Sequence, residues 1–111
     1  MKAMKRVLGV VLGVAAALGG TYAQAMDAAA AKALAAQKAC MGCHAVDKKI
    51  VGPAYKDVAA KYKGMAAKDL AASIKAGGSG KWGAIPMPPQ PTLSDAEAET
   101  LAAWVLAGAP D

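Results

Sequence analysis

Both cysteines of this 111-residue chain and its one histidine fall within five consecutive positions, Cys40-Met41-Gly42-Cys43-His44. Two intervening residues put both sulfurs on the same side of a helical turn, and the next residue sets an imidazole beside them. A C-x-x-C-H run of this kind is the attachment signature of c-type haem. Each thiol adds across one haem vinyl group to form a thioether, and His44 then comes under the iron as its proximal ligand. The other ring nitrogen of such a ligand usually donates to a carbonyl, which fixes the ring. Three plainer readings compete. A disulfide between Cys40 and Cys43 closes a tiny loop and restrains the chain very little. A thioredoxin-like pair needs a β-α-β setting, and no convincing strand is found. A structural zinc site needs four ligands, whereas this motif offers three with no second Cys/His cluster.

The rest of the chain suits a large apolar cofactor. With no Phe, two Trp and three Tyr, a core must be built mostly from Ala, Leu, Val and Ile. Small side chains bury little area, and a single domain of this size is marginal by surface-to-volume scaling. A flat apolar ring at the centre would make up the difference.

The N-terminal segment is set apart before the fold is considered. Lys2, Lys5 and Arg6 form a basic start, Val7 to Leu18 an apolar stretch, and Ala23-Gln24-Ala25 a small-x-small cleavage site. The apolar stretch is short for a bilayer, which takes about 20 residues. Residues 1–25 therefore read as a cleaved Sec-type signal peptide directing residues 26–111 to the periplasm, the competitor being an uncleaved anchor. After cleavage no stable membrane insertion is expected. The formal charge of +5 then falls to near +2, with no Arg left. That argues against nucleic-acid binding, which wants a clustered basic face.

The remainder reads as four helices. Residues 27–39 form the first, with Asp27 as N-cap. Ala54 to Lys63 form the second, stopped by Gly64, and Ala67 to Ala76 the third, stopped by Gly77. The fourth opens on a capping box, Ser94 with Glu97, carries Leu101, Trp104 and Val105 on one stripe, and ends at Gly108 and Pro110. Between the third and fourth, Gly77 to Pro91 holds four Gly and four Pro and is a loop without regular structure. Long loops of that sort are usually functional.

That loop supplies the candidate sixth ligand. No second histidine exists, and His/Met ligation is the usual electron-transfer pair. Met1 and Met4 leave with the leader, Met26 would be the mature N-terminus, and Met41 lies inside the attachment motif. Met65 sits in a turn and reads as a surface or packing residue. Met87, in Ile85-Pro86-Met87-Pro88-Pro89, is held by prolines whose φ is fixed. The plainer reading is a packing methionine in a Pro-rich loop.

These residues resemble the short bacterial class I cytochromes c, of the type that donates electrons to dissimilatory nitrite reductase. The resemblance covers nearly all of residues 27–107. It rests on Cys40 to His44, on Val51-Gly52-Pro53-Ala54-Tyr55-Lys56-Asp57-Val58, on Trp82-Gly83-Ala84-Ile85-Pro86-Met87-Pro88-Pro89-Gln90, and on Leu101 to Leu106. It implies an all-α fold of about four helices wrapped around one covalently bound haem c. It further implies that Pro53 packs on the proximal side with adjacent backbone accepting the His44 proton, and that Trp82 hydrogen-bonds a haem propionate. Leu70, Ile74 and Trp104 would line or back the pocket, and Gln90, where Asn is common, would lie near the ligand sulfur. For Trp104 plain core packing suffices. One departure is Ser73, where some members carry a propionate-binding Arg; Trp82, a lysine such as Lys75, or water would then serve.

The expected function is a diffusible carrier of single electrons, not an enzyme, because two firm axial ligands leave no open position on the iron. Lys32, Lys38, Lys48, Lys49 and Lys81 form a candidate basic rim for an acidic partner, though they read equally well as solvated surface. Nitrite reductase, a terminal oxidase and a bc1-type complex all fit as partners. Two rivals are a gas or peroxide site opened by a labile Met87, and a detached subunit of a larger haem enzyme.

Overall fold

The computed structural model describes residues 27–111; the expected leader and cleavage site lie outside them. Helix α1 spans Ala28–Gln37, α2 Tyr55–Lys61, α3 Ala67–Ala76 and α4 Asp95–Leu106, and a 3-10 turn at Cys40–Gly42 follows α1. Among the described residues there is no strand, only isolated bridges pairing His44 with Lys49 and Gly78 with Met87. The fold is all-α, as the sequence leads one to expect.

Each helix begins and ends for a local reason. The Asp27 carboxylate accepts from the Ala30 N–H at 3.0 Å and caps α1. The helix stops at Gln37, two residues short of expectation, because Ala39 takes φ 62°. A left-handed residue cannot continue a right-handed helix, and this reversal swings the chain into the Cys40 turn. Helix α2 is likewise shorter than expected: Ala54 is its extended N-cap and Tyr62 its C-cap. Helix α3 has the expected bounds and ends at Gly77, φ 69°. In α4 the Ser94 hydroxyl accepts from the Glu97 N–H at 3.0 Å and the Glu97 carboxylate accepts from the Ser94 N–H at 2.9 Å. That backbone donor holds the Glu97 carboxyl below the usual carboxylate range.

Helix α4 is the hub, since α1, α2 and α3 all pack on it. Its Trp104 is fully buried and its Leu101 and Val105 nearly so, against Leu70 of α3 and Val58 of α2. The Trp104 indole N–H donates to the Pro110 carbonyl at 2.8 Å, so the ring packs in the core without stranding a donor. Where α1 meets α4 the core is alanine: Ala31, Ala35, Ala98 and Ala102 have no exposed surface. Asp111 reaches back to α1, where Lys32 Nζ lies 2.8 Å from its carboxylate oxygen.

Candidate functional site

The C-x-x-C-H segment is fastened by its own backbone. The Cys43 carbonyl accepts from the N–H groups of Val51 and Gly52, at 3.2 and 2.6 Å. The following stretch is pinned by Tyr55 and Lys56 donating to the carbonyls of Ala45 and Val46. His44 is thereby carried back over Gly52-Pro53, and its Nδ1 lies 2.8 Å from the Pro53 carbonyl oxygen. A carbonyl only accepts, so the proton sits on Nδ1 and the Nε2 lone pair is left for a ligand. The accepting group is the carbonyl of Pro53 itself, where the resemblance indicated adjacent backbone.

Gly52 makes this seat possible. A Cβ at that position would stand 2.5 Å from His44 Cε1 and 2.9 Å from Nδ1. Replacing Gly52 by Ala is expected to push the ring off the Pro53 carbonyl and to destabilise the protein by about 1–3 kcal/mol, the usual cost of overpacking. Guanidinium melts read by visible absorption check this; an unchanged midpoint would show that the ring has room to move.

Tyr55 stacks on the imidazole, with ring centroids 5.0 Å apart, and meets Trp104 edge-on at 5.4 Å. Burial pushes the Tyr55 phenol up, helped by the neighbouring Cys40 thiol, so the ring stays neutral. Burial also pushes the Cys40 thiol up. No disulfide joins the two cysteines; Cys40 is half-buried and Cys43 exposed. Among the described residues no three of His, Cys, Asp and Glu converge on a point that could hold an ion.

Two adjoining clefts with mainly apolar walls, of about 250 and 240 Å³, lie against this segment. Cys43, His44, Pro53, Trp82 and Met87 line the first. Cys40, Cys43, His44 and Met87 line the second. All six residues singled out in the sequence thus border one continuous site. Leu70, Ile74 and Ser73 line the first cleft, and Trp104 backs it through Tyr55. Met87 is carried there by a two-way backbone pairing with Gly78, at 3.0 and 2.7 Å. Gln90 lines the second cleft; its N–H donates to the Lys75 carbonyl, and its side-chain amide to the Pro88 carbonyl.

Donor set and shape fit a flat apolar macrocycle: paired thiols on one turn, an imidazole held in one tautomer, and apolar walls. A model of the family described as cytochrome c matches residues 28–109. The chain belongs to that family. It is 65% identical over 71 residues to cytochrome c-551 of Azotobacter vinelandii, covering 62% of this chain and 85% of the relative. It is 53% identical over 92 residues to cytochrome c-551 of Pseudomonas aeruginosa, covering 81% and 88%. The crystal structure of Nitrosomonas europaea cytochrome c552 matches with a TM-score of 0.66 at 53% identity, covering 69% of this chain and 98% of that one. This is a short bacterial class I cytochrome c, and it binds haem c covalently through Cys40 and Cys43.

Two of the lysines weighed in the sequence have carboxylate partners in this cytochrome c. Lys75, one of three alternatives for a propionate beside Trp82 and water, forms an ion pair with Asp95 and holds that carboxyl below its usual range. Lys32 of the supposed rim is bound to Asp111, whereas Lys49 and Lys81 do line the first cleft. Tyr55 and Gly52 were not singled out as site residues, although both fall in the stretch just after the histidine. Their roles depend on contacts across the turn, which spacing alone does not reveal.

Proposed function

We propose that this cytochrome c is a periplasmic one-electron shuttle whose iron is held by His44 and Met87. The observation that carries the reading is selective. Of Met41, Met65 and Met87, only Met87 borders the clefts, while the other two pack on the main core. Met87 shares both clefts with His44.

When bound, haem supplies one-electron Fe(III)/Fe(II) chemistry. The chain's residues set the conditions for it. The Pro53 carbonyl holds the His44 proton on Nδ1 and makes Nε2 a better donor. The Met87 thioether, a soft donor, favours the reduced ion. Trp82, on the wall of the first cleft, would supply an indole N–H for a propionate. Lys49 and Lys81 supply cations at the same cleft, whose wall carries Ser73.

The docking face proposed for redox partners surrounds the first cleft. Ile50, Val51, Trp82 and Ile85 are exposed, at 48, 43, 36 and 65%. With Lys49 and Lys81 beside them, they suit a partner with an apolar centre and an acidic rim. Nitrite reductase, a terminal oxidase or a bc1-type complex is the class of partner proposed. Among the described residues no helix is long and apolar enough to cross a membrane.

The test is expression of the full chain, leader included, in a host that matures c-type cytochromes, followed by fractionation and visible spectra. The expected product is periplasmic, with a sharp c-type α-band on reduction and a weak far-red band when oxidised. Covalent haem without the far-red band would overturn Met87 ligation and favour a gas or peroxide site. A stable larger species in gel filtration at high salt would count against a free shuttle.

A further inference from the structure

The loop that carries Met87 is tied down unevenly. Its stem is closed by the Gly78–Met87 pairing and by the Gln90 N–H on the Lys75 carbonyl. Its tip, residues 79–86, has an internal bond from the Gly80 N–H to the Gly83 carbonyl at 3.0 Å. Among the described residues, one hydrogen bond joins that tip to another element: Lys61 Nζ of α2 donates to the Lys81 carbonyl at 2.8 Å. The same ammonium stands 4.3 Å from the centre of the Trp82 ring. The neighbouring Tyr62 meets that ring edge-on at 6.1 Å.

We infer that Lys61 is a latch. It holds the tip against α2 and thereby keeps Trp82 and the Met87 segment closed over the site. Lys61 itself does not line the clefts, so it is a positioning residue that acts through Trp82 and the Lys81 carbonyl. Both contacts converge on one ammonium, and the cation is indispensable to both: an apolar side chain of equal length can neither donate to the carbonyl nor be drawn to the ring face. Opening the tip requires breaking both together. That the latch bears on iron ligation rests on the assignment of Met87 as the sixth ligand; that it holds the tip does not.

Hydrogen exchange of the oxidised holoprotein, followed by mass spectrometry over the tip peptide, tests the latch independently of ligation. Lys61→Ala and Lys61→Met are expected to speed exchange at the tip about two- to fivefold, the equivalent of one exposed cation–π contact. Lys61→Arg should restore protection, because it keeps both charge and donor. Unchanged exchange in Lys61→Met would overturn the latch, since the stem alone would then suffice. The link to ligation is read from cyanide binding to the ferric protein, a reaction limited by departure of the sixth ligand. The rate should rise by the same factor in Lys61→Met. Faster exchange with an unchanged cyanide rate would overturn the claim that the latch keeps the Met87 segment closed. Failure of the Met87 assignment shows separately, as a far-red band that survives Met87→Ala.

Discussion

Replacing Met87 by Ala is expected to abolish the far-red band of the oxidised protein, lower the reduction potential by on the order of 100 mV, and let carbon monoxide bind the reduced form. Axial ligands command roughly 0.8 V of haem potential, and a thioether favours Fe(II) more than water or hydroxide does. The backbone pairing of Met87 with Gly78 uses only main-chain atoms, so alanine leaves the loop stem intact. Thus ligation is separated from folding. Potentiometry checks the shift, and far-ultraviolet circular dichroism checks that helicity is kept. An unchanged potential and band would move the ligand elsewhere, and Met65 would be the next position to replace.

Gly77→Ala should produce the largest loss of stability. Gly77 has φ 69° and ψ −165°, a region essentially closed to side chains and costing about 1–3 kcal/mol. A Cβ there would also clash with the Met87 carbonyl oxygen and stand 2.7 Å from the Pro88 carbonyl carbon and 2.8 Å from the Pro89 nitrogen. These are backbone atoms, and the two prolines stiffen them. Overpacking adds about 1–3 kcal/mol, for a total of roughly 2–6 kcal/mol. Gly64→Ala is the control: its φ is 89°, but a Cβ there meets nothing within 4 Å. It should cost only about 1–2 kcal/mol. Equal losses in denaturant melts of the two variants would show that crowding against the Met87 segment is unimportant.

What could be read in the sequence was local. The capping box of α4 involves two residues three apart and needs nothing else. The α3 boundaries follow from a glycine stop, and the C-x-x-C-H run announces its cofactor through spacing alone. What escaped was set at a distance or by unremarkable residues. Ala39 ends α1 by a left-handed turn, yet alanine gives no warning of it. Lys75 looked available for a propionate until α4 brought Asp95 to it across 20 residues. Lys61 reaches the Trp82 loop across a similar gap. The crowding at Gly52 and Gly77 follows from how segments cross, so no count of glycines would have revealed it.

The alanine seam between α1 and α4 bears on what an electron carrier must avoid. Each electron that arrives or leaves changes the charge at the centre by one unit, and any part of the protein that rearranges in response adds to the barrier for transfer. Ala31, Ala35, Ala98 and Ala102 have no χ angles to turn. Their burial sacrifices no side-chain entropy, and it offers no alternative packings for the new charge to select. A seam of longer side chains would bury more area but would also have rotamers able to answer the field. Alanine thus leaves this side of the scaffold no side-chain rotamers with which to answer each transfer.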